Sequence, residues 1–361
     1  MESQPLLESQ GAEKNARFWV CVRRALLLLF WVSLALMTGA AILLLVRAYE
    51  PPPRTAWYQR SVLCYTTGPQ PSNLTELRRR IEEVSALGCG GLILAWDNVT
   101  ERNLRSLVAE GRWHNLHIML ELQLLDEYNV QQIQDLGDAA RSWIDDGASG
   151  FRLSGGQREA VITVSDILRE ELENVTGEER LILLPDWLCA DTAINKSQIF
   201  HTCPFPDWNL QDAPGRSEVV QTAWEVSPGD NDSLGMRQFM AVTQPGTVIL
   251  SLSQSQPPPS WLRSLLFLRF HNPALYAGWL QDLSNNSSYI VLRHWGCSTL
   301  LVVIGRSASQ ENVSLHIPNY APSAQLLLST IGRSSRGQLM VDTVLLAAGE
   351  AQLLRLSHEE L

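Results

Sequence analysis

Eight Asn-x-Ser/Thr sequons occur in this sequence, at Asn73, Asn98, Asn174, Asn195, Asn231, Asn285, Asn286 and Asn312. Each is an acceptor for N-linked glycan, a modification made on exposed asparagines in a lumenal compartment. The chain holds 15 Asn, and at its Ser and Thr content chance would supply about two sequons. The excess predicts a glycosylated exoplasmic domain. His114 and His117, in Trp113-His-Asn-Leu-His117, raise the question of metal ligation. No Cys or carboxylate is read at matching spacing, so no metal site is expected, and neither histidine is given more than a strand-entry or solvated role. Cys64, Cys89, Cys189, Cys203 and Cys297 are an odd number, so at least one is free or pairs between chains. Cys64 falls in an apolar predicted strand and is expected to be a buried thiol. Cys189 and Cys203 follow neighbouring strands and could pair. Cys21 stands apart, as a palmitoylation candidate or an inert thiol.

These residues are set on a clear longitudinal plan. Residues 25–46 carry no charge over 22 positions, roughly 33 Å of helix, enough to cross a hydrocarbon core of roughly 30 Å. The run ends directly in Arg47 with no small-residue cleavage site, so it reads as a retained anchor rather than a signal peptide. Lys14, Arg17, Arg23 and Arg24 precede it, and the far flank offers Arg47 and Arg54 offset by Glu50. That bias places the N-terminus inside, in a type II orientation, and every sequon follows the span. Of the net charge of −10, the tail contributes +1 and the remainder about −11 by subtraction. An acidic ectodomain lacks the clustered Lys and Arg that a nucleic-acid binder needs.

The predicted organisation is a cytoplasmic tail (1–24), a transmembrane helix (25–46), a Pro-rich neck (47–56), an α/β unit (57–278) and a C-terminal antiparallel β domain (279–361). Between 62 and 252, eight short apolar runs alternate with amphipathic stretches, and eight βα repeats are the number that closes a (β/α)8 barrel. After Gly278 the helical periodicity stops, and strands and turns remain.

Several stretches, in order, resemble the solute-carrier family three heavy chains of heteromeric amino-acid transporters: Ala25-Leu-Leu-Leu-Leu-Phe-Trp31 and Gly39-Ala-Ala in the span, Gly147-Ala-Ser-Gly-Phe151, Gln244-Pro-Gly-Thr-Val248, Arg293-His-Trp295, Leu301-Val-Val303 and Leu326-Leu-Leu-Ser-Thr330. The resemblance implies a degenerate amylase-like (β/α)8 barrel followed by a small β-sandwich, in a form shorter than the family pattern. It also supplies a chemical test. Glycoside hydrolysis needs a carboxylate nucleophile and a carboxylic acid on either side of the scissile bond. In amylase-like enzymes the nucleophile is the Asp of a G-F-R-x-D pattern, and here the segment is Gly150-Phe151-Arg152-Leu153-Ser154. A Ser hydroxyl at 154 offers no charge to an oxocarbenium-like centre. The nearest counterpart of the acid is Asp186, better read as a turn residue, and the third carboxylate has only Trp224-Glu225 in its place. The expectation is a barrel without catalysis and without cofactor.

What remains is partnership. The resemblance implies a multi-pass amino-acid transporter light subunit as partner, and Ala35-x-x-x-Gly39 is a small-xxx-small pair that permits close helix approach in lipid. Family heavy chains hold that subunit by a disulfide just beyond the span. Arg47-Ala-Tyr-Glu-Pro-Pro-Pro53 has no Cys, so a non-covalent assembly at the plasma membrane is expected. Glu2-Ser-Gln-Pro-Leu6-Leu7 fits an acidic dileucine sorting signal on an unfolded tail, which would add an endosomal or lysosomal address. Rival readings are a membrane-anchored glycosidase and a partner-free glycoprotein receptor or adhesion module.

Overall fold

The computed structural model describes residues 5–48, 55–67, 73–95, 101–124, 130–173, 179–189, 199–205, 222–226, 234–253, 257–284, 288–305, 311–313, 317, 320–332, 338–341 and 344–358. It divides into two units, Met1–Pro51 and Pro52–Leu361.

The first unit is one helix, α1 (Pro5–Ala48). Its apolar stretch, Trp19–Leu43, is 25 residues long, enough to span a bilayer. Inside it, Ser33 Oγ donates to Phe30 O at 2.9 Å and Thr38 Oγ1 to Leu34 O at 2.7 Å, so the hydroxyls are satisfied within the helix. The unfolded tail is corrected: α1 already includes Leu6 and Leu7, while Glu2 lies outside the described residues. Glu, Gln, Ala, Lys and Arg between Pro5 and the span are good helix formers, and a proline at the first helical position sacrifices no hydrogen bond.

In the second unit, eight parallel strands close a barrel in sequence order: β1 (Val62–Thr67), β2 (Gly91–Ala95), β3 (His117–Leu124), β4 (Gly150–Gly155), β5 (Leu181–Leu184), β6 (Ile199–Pro204), β7 (Thr222–Val226) and β8 (Thr247–Ser253). The seam pairs β1 with β8 from Val62↔Val248 to Thr67↔Ser253. A short helix, α2 (Trp57–Arg60), precedes β1. Outer helices follow six strands: α3 (Leu74–Leu87), α4 (Glu101–Trp113), α5 (Val130–Asp145), α6 (Arg158–Glu173), α7 (Leu234–Thr243) and α8 (Ser260–His271). Their local logic is visible in α3. Asn73 Oδ1 accepts from Thr75 N at 3.0 Å, Gly88 closes the helix at φ 100°, and Leu77, Ile81 and Val84 form the buried stripe. Leu63, Ile93, Met119, Phe200 and Ile249 fill the barrel interior. Gly150 marks its tightest backbone approach, since a Cβ there would lie 2.2 Å from Leu181 O.

After α9 (Pro273–Tyr276) come β9 (Trp279–Asp282), β10 (Ser288–Trp295), β11 (Ser298–Gly305), β12 (Glu311–Val313), β13 (Tyr320–Ser329), β14 (Gln338–Met340), β15 (Val344–Leu346) and β16 (Ala351–His358). They form a six-stranded antiparallel sheet, ordered β14-β13-β16-β11-β10-β9, and a two-stranded sheet of β12 and β15. Tyr289, Val291, Val302 and Ile304 join the core of the barrel helices, while Ile290, Leu292, Leu301 and Val303 pack with Val344 and Leu346. A sheet covered on both faces needs continuous apolar strands, and Leu300-Leu-Val-Val-Ile304 is one.

The buried thiol expected at Cys64 is also corrected. Pairing of β1 with β2 brings Cys89 to a Cα–Cα distance of 6.1 Å, and the two form a disulfide. A second disulfide joins Cys189 and Cys203, and Cys21 and Cys297 are exposed and belong to neither bridge. Non-reducing peptide mapping with alkylation is therefore expected to recover Cys64–Cys89 and Cys189–Cys203 as linked peptides and Cys297 as an alkylated thiol. Alkylation of Cys64 without reductant would contradict the arrangement.

Candidate functional site: the barrel mouth

Side chains alternate along a strand, so those two residues beyond the inner apolar layer point into the barrel nearer its C-terminal end. There Tyr65, Glu121, Arg152 and Glu225 converge from β1, β3, β4 and β7. Arg152 is the hub. Its Nη2 lies 3.0 and 2.9 Å from Oε1 and Oε2 of Glu225, its Nε lies 3.8 Å from Glu121 Oε1, and its Cζ sits 4.7 Å from the Tyr65 ring centroid. Ser251 Oγ approaches Glu225 Oε1 at 3.5 Å. Side-chain exposure is 14% for Arg152 and 9% for Glu225, so the pair is shielded and its attraction is barely screened. Burial first, and then the neighbouring Glu121 carboxylate, raise the Tyr65 phenol above its ordinary value.

Ser154 follows Arg152 by two residues on β4, on the same inner side and half-buried. No carboxylate occupies that position. Asp186 begins a 3-10 turn, Asp186–Leu188, where it is exposed and accepts from Trp187 N at 2.9 Å. Its carboxylate therefore serves its own turn. Glu225 is the residue that sequence reasoning set aside: the structure places it inside the barrel and against Arg152. Two carboxylates facing one guanidinium can hold the mouth together electrostatically. Both oxygens of Glu225 share one donor nitrogen, so neither stands clear of Arg152.

The remaining residues singled out from sequence lie elsewhere. Asn73 caps α3 and is exposed, as is Thr75 of its sequon. Asn312 lies in β12 opposite Leu345, and Asn98, Asn174, Asn195, Asn231, Asn285 and Asn286 lie outside the described residues. Ala35 and Gly39 are exposed on α1, with no heavy atom within 4 Å of a Cβ built at Gly39. His117 enters β3 with its ring stacked on Trp57 at 3.9 Å and Nδ1 3.2 Å from Ser149 Oγ. Near His114, Glu110, one helical turn earlier, and Glu82, from the neighbouring helix, bring carboxylate oxygens to within 4.8 Å of its ring nitrogen and of one another. Spacing along the chain does not register a ligand supplied by a second helix.

No family model matches the chain. The amino acid transporter heavy chain SLC3A2 of Rattus norvegicus is 25% identical over 206 residues, covering 46% of this chain and 38% of the relative. Its Mus musculus counterpart is 24% identical over the same extent. The match thus spans well under two thirds of those relatives' own length. Among solved structures, an Anoxybacillus α-amylase superposes with a TM-score of 0.62 at 12% identity, covering 85% of this chain and 100% of the other. The α-amylase of Geobacillus thermoleovorans gives the same values, and isomaltulose synthase from Erwinia rhapontici gives 0.61 at 12% with the same coverage. At such identity the likeness establishes the fold, an amylase-type barrel followed by an antiparallel sheet.

Breaking one partner of a buried pair leaves its counterpart unpaired, so Arg152→Met is expected to lower stability by about 3 kcal/mol or more. Adding Glu225→Gln should recover part of that loss. Thermal unfolding of the detergent-solubilised chain measures both, and an Arg152→Met melting point equal to the parent's would show that the cluster is not structural.

Proposed function

We propose that this chain is an ancillary, heavy-chain-like subunit of an amino-acid transporter. In this reading it is a single-pass type II glycoprotein that binds a multi-pass light subunit, supports its folding and delivery to the plasma membrane, and performs no catalysis. The observation that carries the reading is the 206-residue likeness to rodent amino acid transporter heavy chains. Two physical points support it. One span without an intramembrane charge cannot form a translocation path by itself, so transport requires a partner. The barrel mouth has Ser154 at the position of an amylase-type nucleophile and ties Glu225 to Arg152, which removes the free carboxylate pair that glycoside hydrolysis uses.

The partner would meet α1 along Ala35 and Gly39, where small residues allow backbones to approach. The absence of Cys from 47–53 favours non-covalent assembly. Cofactor and nucleic acid have no part in this reading. The two inward carboxylates, Glu121 and Glu225, support a membrane-anchored glycosidase as the second reading. Turnover of α-glucosides that disappears in Glu225→Gln would put it in first place.

Affinity purification in mild detergent followed by mass spectrometry is expected to recover a stoichiometric multi-pass amino-acid transporter. On non-reducing gels the chain should migrate without a partner-sized increment. A reductant-sensitive shift would replace the non-covalent assembly with a disulfide, and loss of any multi-pass partner from every expressing tissue would favour a receptor or adhesion role. The sorting signal has its own measurement. Leu6→Ala with Leu7→Ala is expected to raise the biotinylated surface fraction, and an unchanged distribution leaves the plasma membrane as the sole address.

A further inference from the structure

We propose that Glu82, Glu110 and His114 form a Zn2+ site on the outer surface of the barrel, between α3 and α4. The three residues reach one point from separate origins. Glu82 lies on the exposed side of α3, next to Ile81 of its buried stripe. Glu110 lies in the last turn of α4, and His114 follows four residues later, where its N–H donates to Gly111 O at 3.0 Å. One ligand atom from each lies within 4.8 Å of the others.

The separation of His114 from Glu110 suits a metal better than a direct hydrogen bond. His114 Nε2 stands 3.5 Å from Glu110 Oε1, beyond the usual N–H···O range. Two ligands at Zn–N and Zn–O distances of about 2.1 Å in a tetrahedron stand about 3.4 Å apart. Nε2 therefore stands from the Glu110 carboxylate at the spacing that two zinc ligands take. Side-chain exposures of 27% for His114 and 31% for Glu110 leave room for a water as fourth ligand. An imidazole in the set selects zinc-like ions over Ca2+ and Mg2+, which prefer oxygen alone.

The support is fixed in advance. Ser85 Oγ of α3 donates to His114 O at 3.1 Å, and Arg78 Nη2 of α3 donates to Ser106 Oγ of α4 at 2.8 Å. Both bonds hold the two helices in register, which is what a ligand set divided between elements requires. Arg78 Nε also lies 4.0 Å from Glu110 Oε2, so one cation already faces this carboxylate on the side away from His114. That arginine opposes a second cation, and its removal should strengthen binding.

The test is isothermal titration of Zn2+ into the detergent-solubilised full chain carrying no polyhistidine tag, with Ca2+ as control. One Zn2+ per chain and no response to Ca2+ are expected. Glu82→Gln, on an exposed side chain whose replacement leaves the core untouched, and His114→Ala should each weaken Zn2+ by at least roughly tenfold, the lower end of what removing even an outer-shell partner costs. Arg78→Ala should tighten it. Failure of the parent chain to bind Zn2+ up to millimolar concentration, or parental affinity in Glu82→Gln and His114→Ala, overturns the proposal.

Discussion

The guanidinium of Arg269 closes the barrel. It is wholly buried in α8, and its Nη1 donates to Val242 O at 2.7 Å and to Gln244 O at 2.6 Å. Its Nη2 donates to Gln59 O at 3.0 Å and to Gly246 O at 2.5 Å. Gln59 belongs to α2, just before β1, and Gly246 immediately precedes β8. The seam between β1 and β8 is thus fastened at its N-terminal end by one side chain from a third segment. Left without a partner, each of the buried carbonyls of Val242, Gln244 and Gly246 would cost about 1–3 kcal/mol. A lysine has three donors on one atom and cannot reproduce the planar spread that reaches four acceptors. Desolvation, with Arg293 as a second cation nearby, lowers Arg269 to about 9, so the group still carries its charge at neutral pH.

Arg293 extends the same solution to the C-terminal sheet. From β10 it donates through Nε to Ala274 O and through Nη2 to Leu275 O, both at 3.0 Å, fixing α9 against the sheet. Desolvation lowers it to about 10. Tyr289, on the same strand, meets Gln244 in a short hydrogen bond at the turn that Arg269 also holds. Barrel and sheet therefore share a polar hinge inside an apolar interface, and their common core follows from that attachment. Neither arginine has a carboxylate partner in these bonds. Backbone carbonyl dipoles answer the charge in these bonds, which ties both cations to geometry.

Much of this architecture was legible because strand spacing, helical stripes and the break after Gly278 are local patterns. The span, the eight strands and the change to antiparallel structure all came from runs of fewer than twenty-five residues. What escaped was long-range. Cys64 looked like a buried thiol because nothing in its own strand reveals that Cys89 will arrive at the next one. Glu225 looked like an isolated acid because β7 is buried throughout, and a strand buried on both faces hides which of its residues turn inward. Glu121 and Arg152 escaped because the contacts that join them to β7 and β1 are long-range. Even the tail was misjudged by composition: its charges suggested a solvated segment, yet the same residues are good helix formers, and α1 runs through them.

The two ends of the barrel use arginine in opposite ways. At the N-terminal end Arg269 satisfies carbonyls and cannot be released without opening the seam. At the C-terminal end, where α/β barrels carry their chemistry, Arg152 faces Glu121 and Glu225 across strands that are far apart in sequence. The guanidinium gives both carboxylates a facing cation, so part of the desolvation of the mouth is answered within the protein. Ser154 adds no charge to that balance. The mouth then contributes to holding β3, β4 and β7 together, while the outer surface carries the exposed Asn73, which caps α3, beside the paired helices α3 and α4.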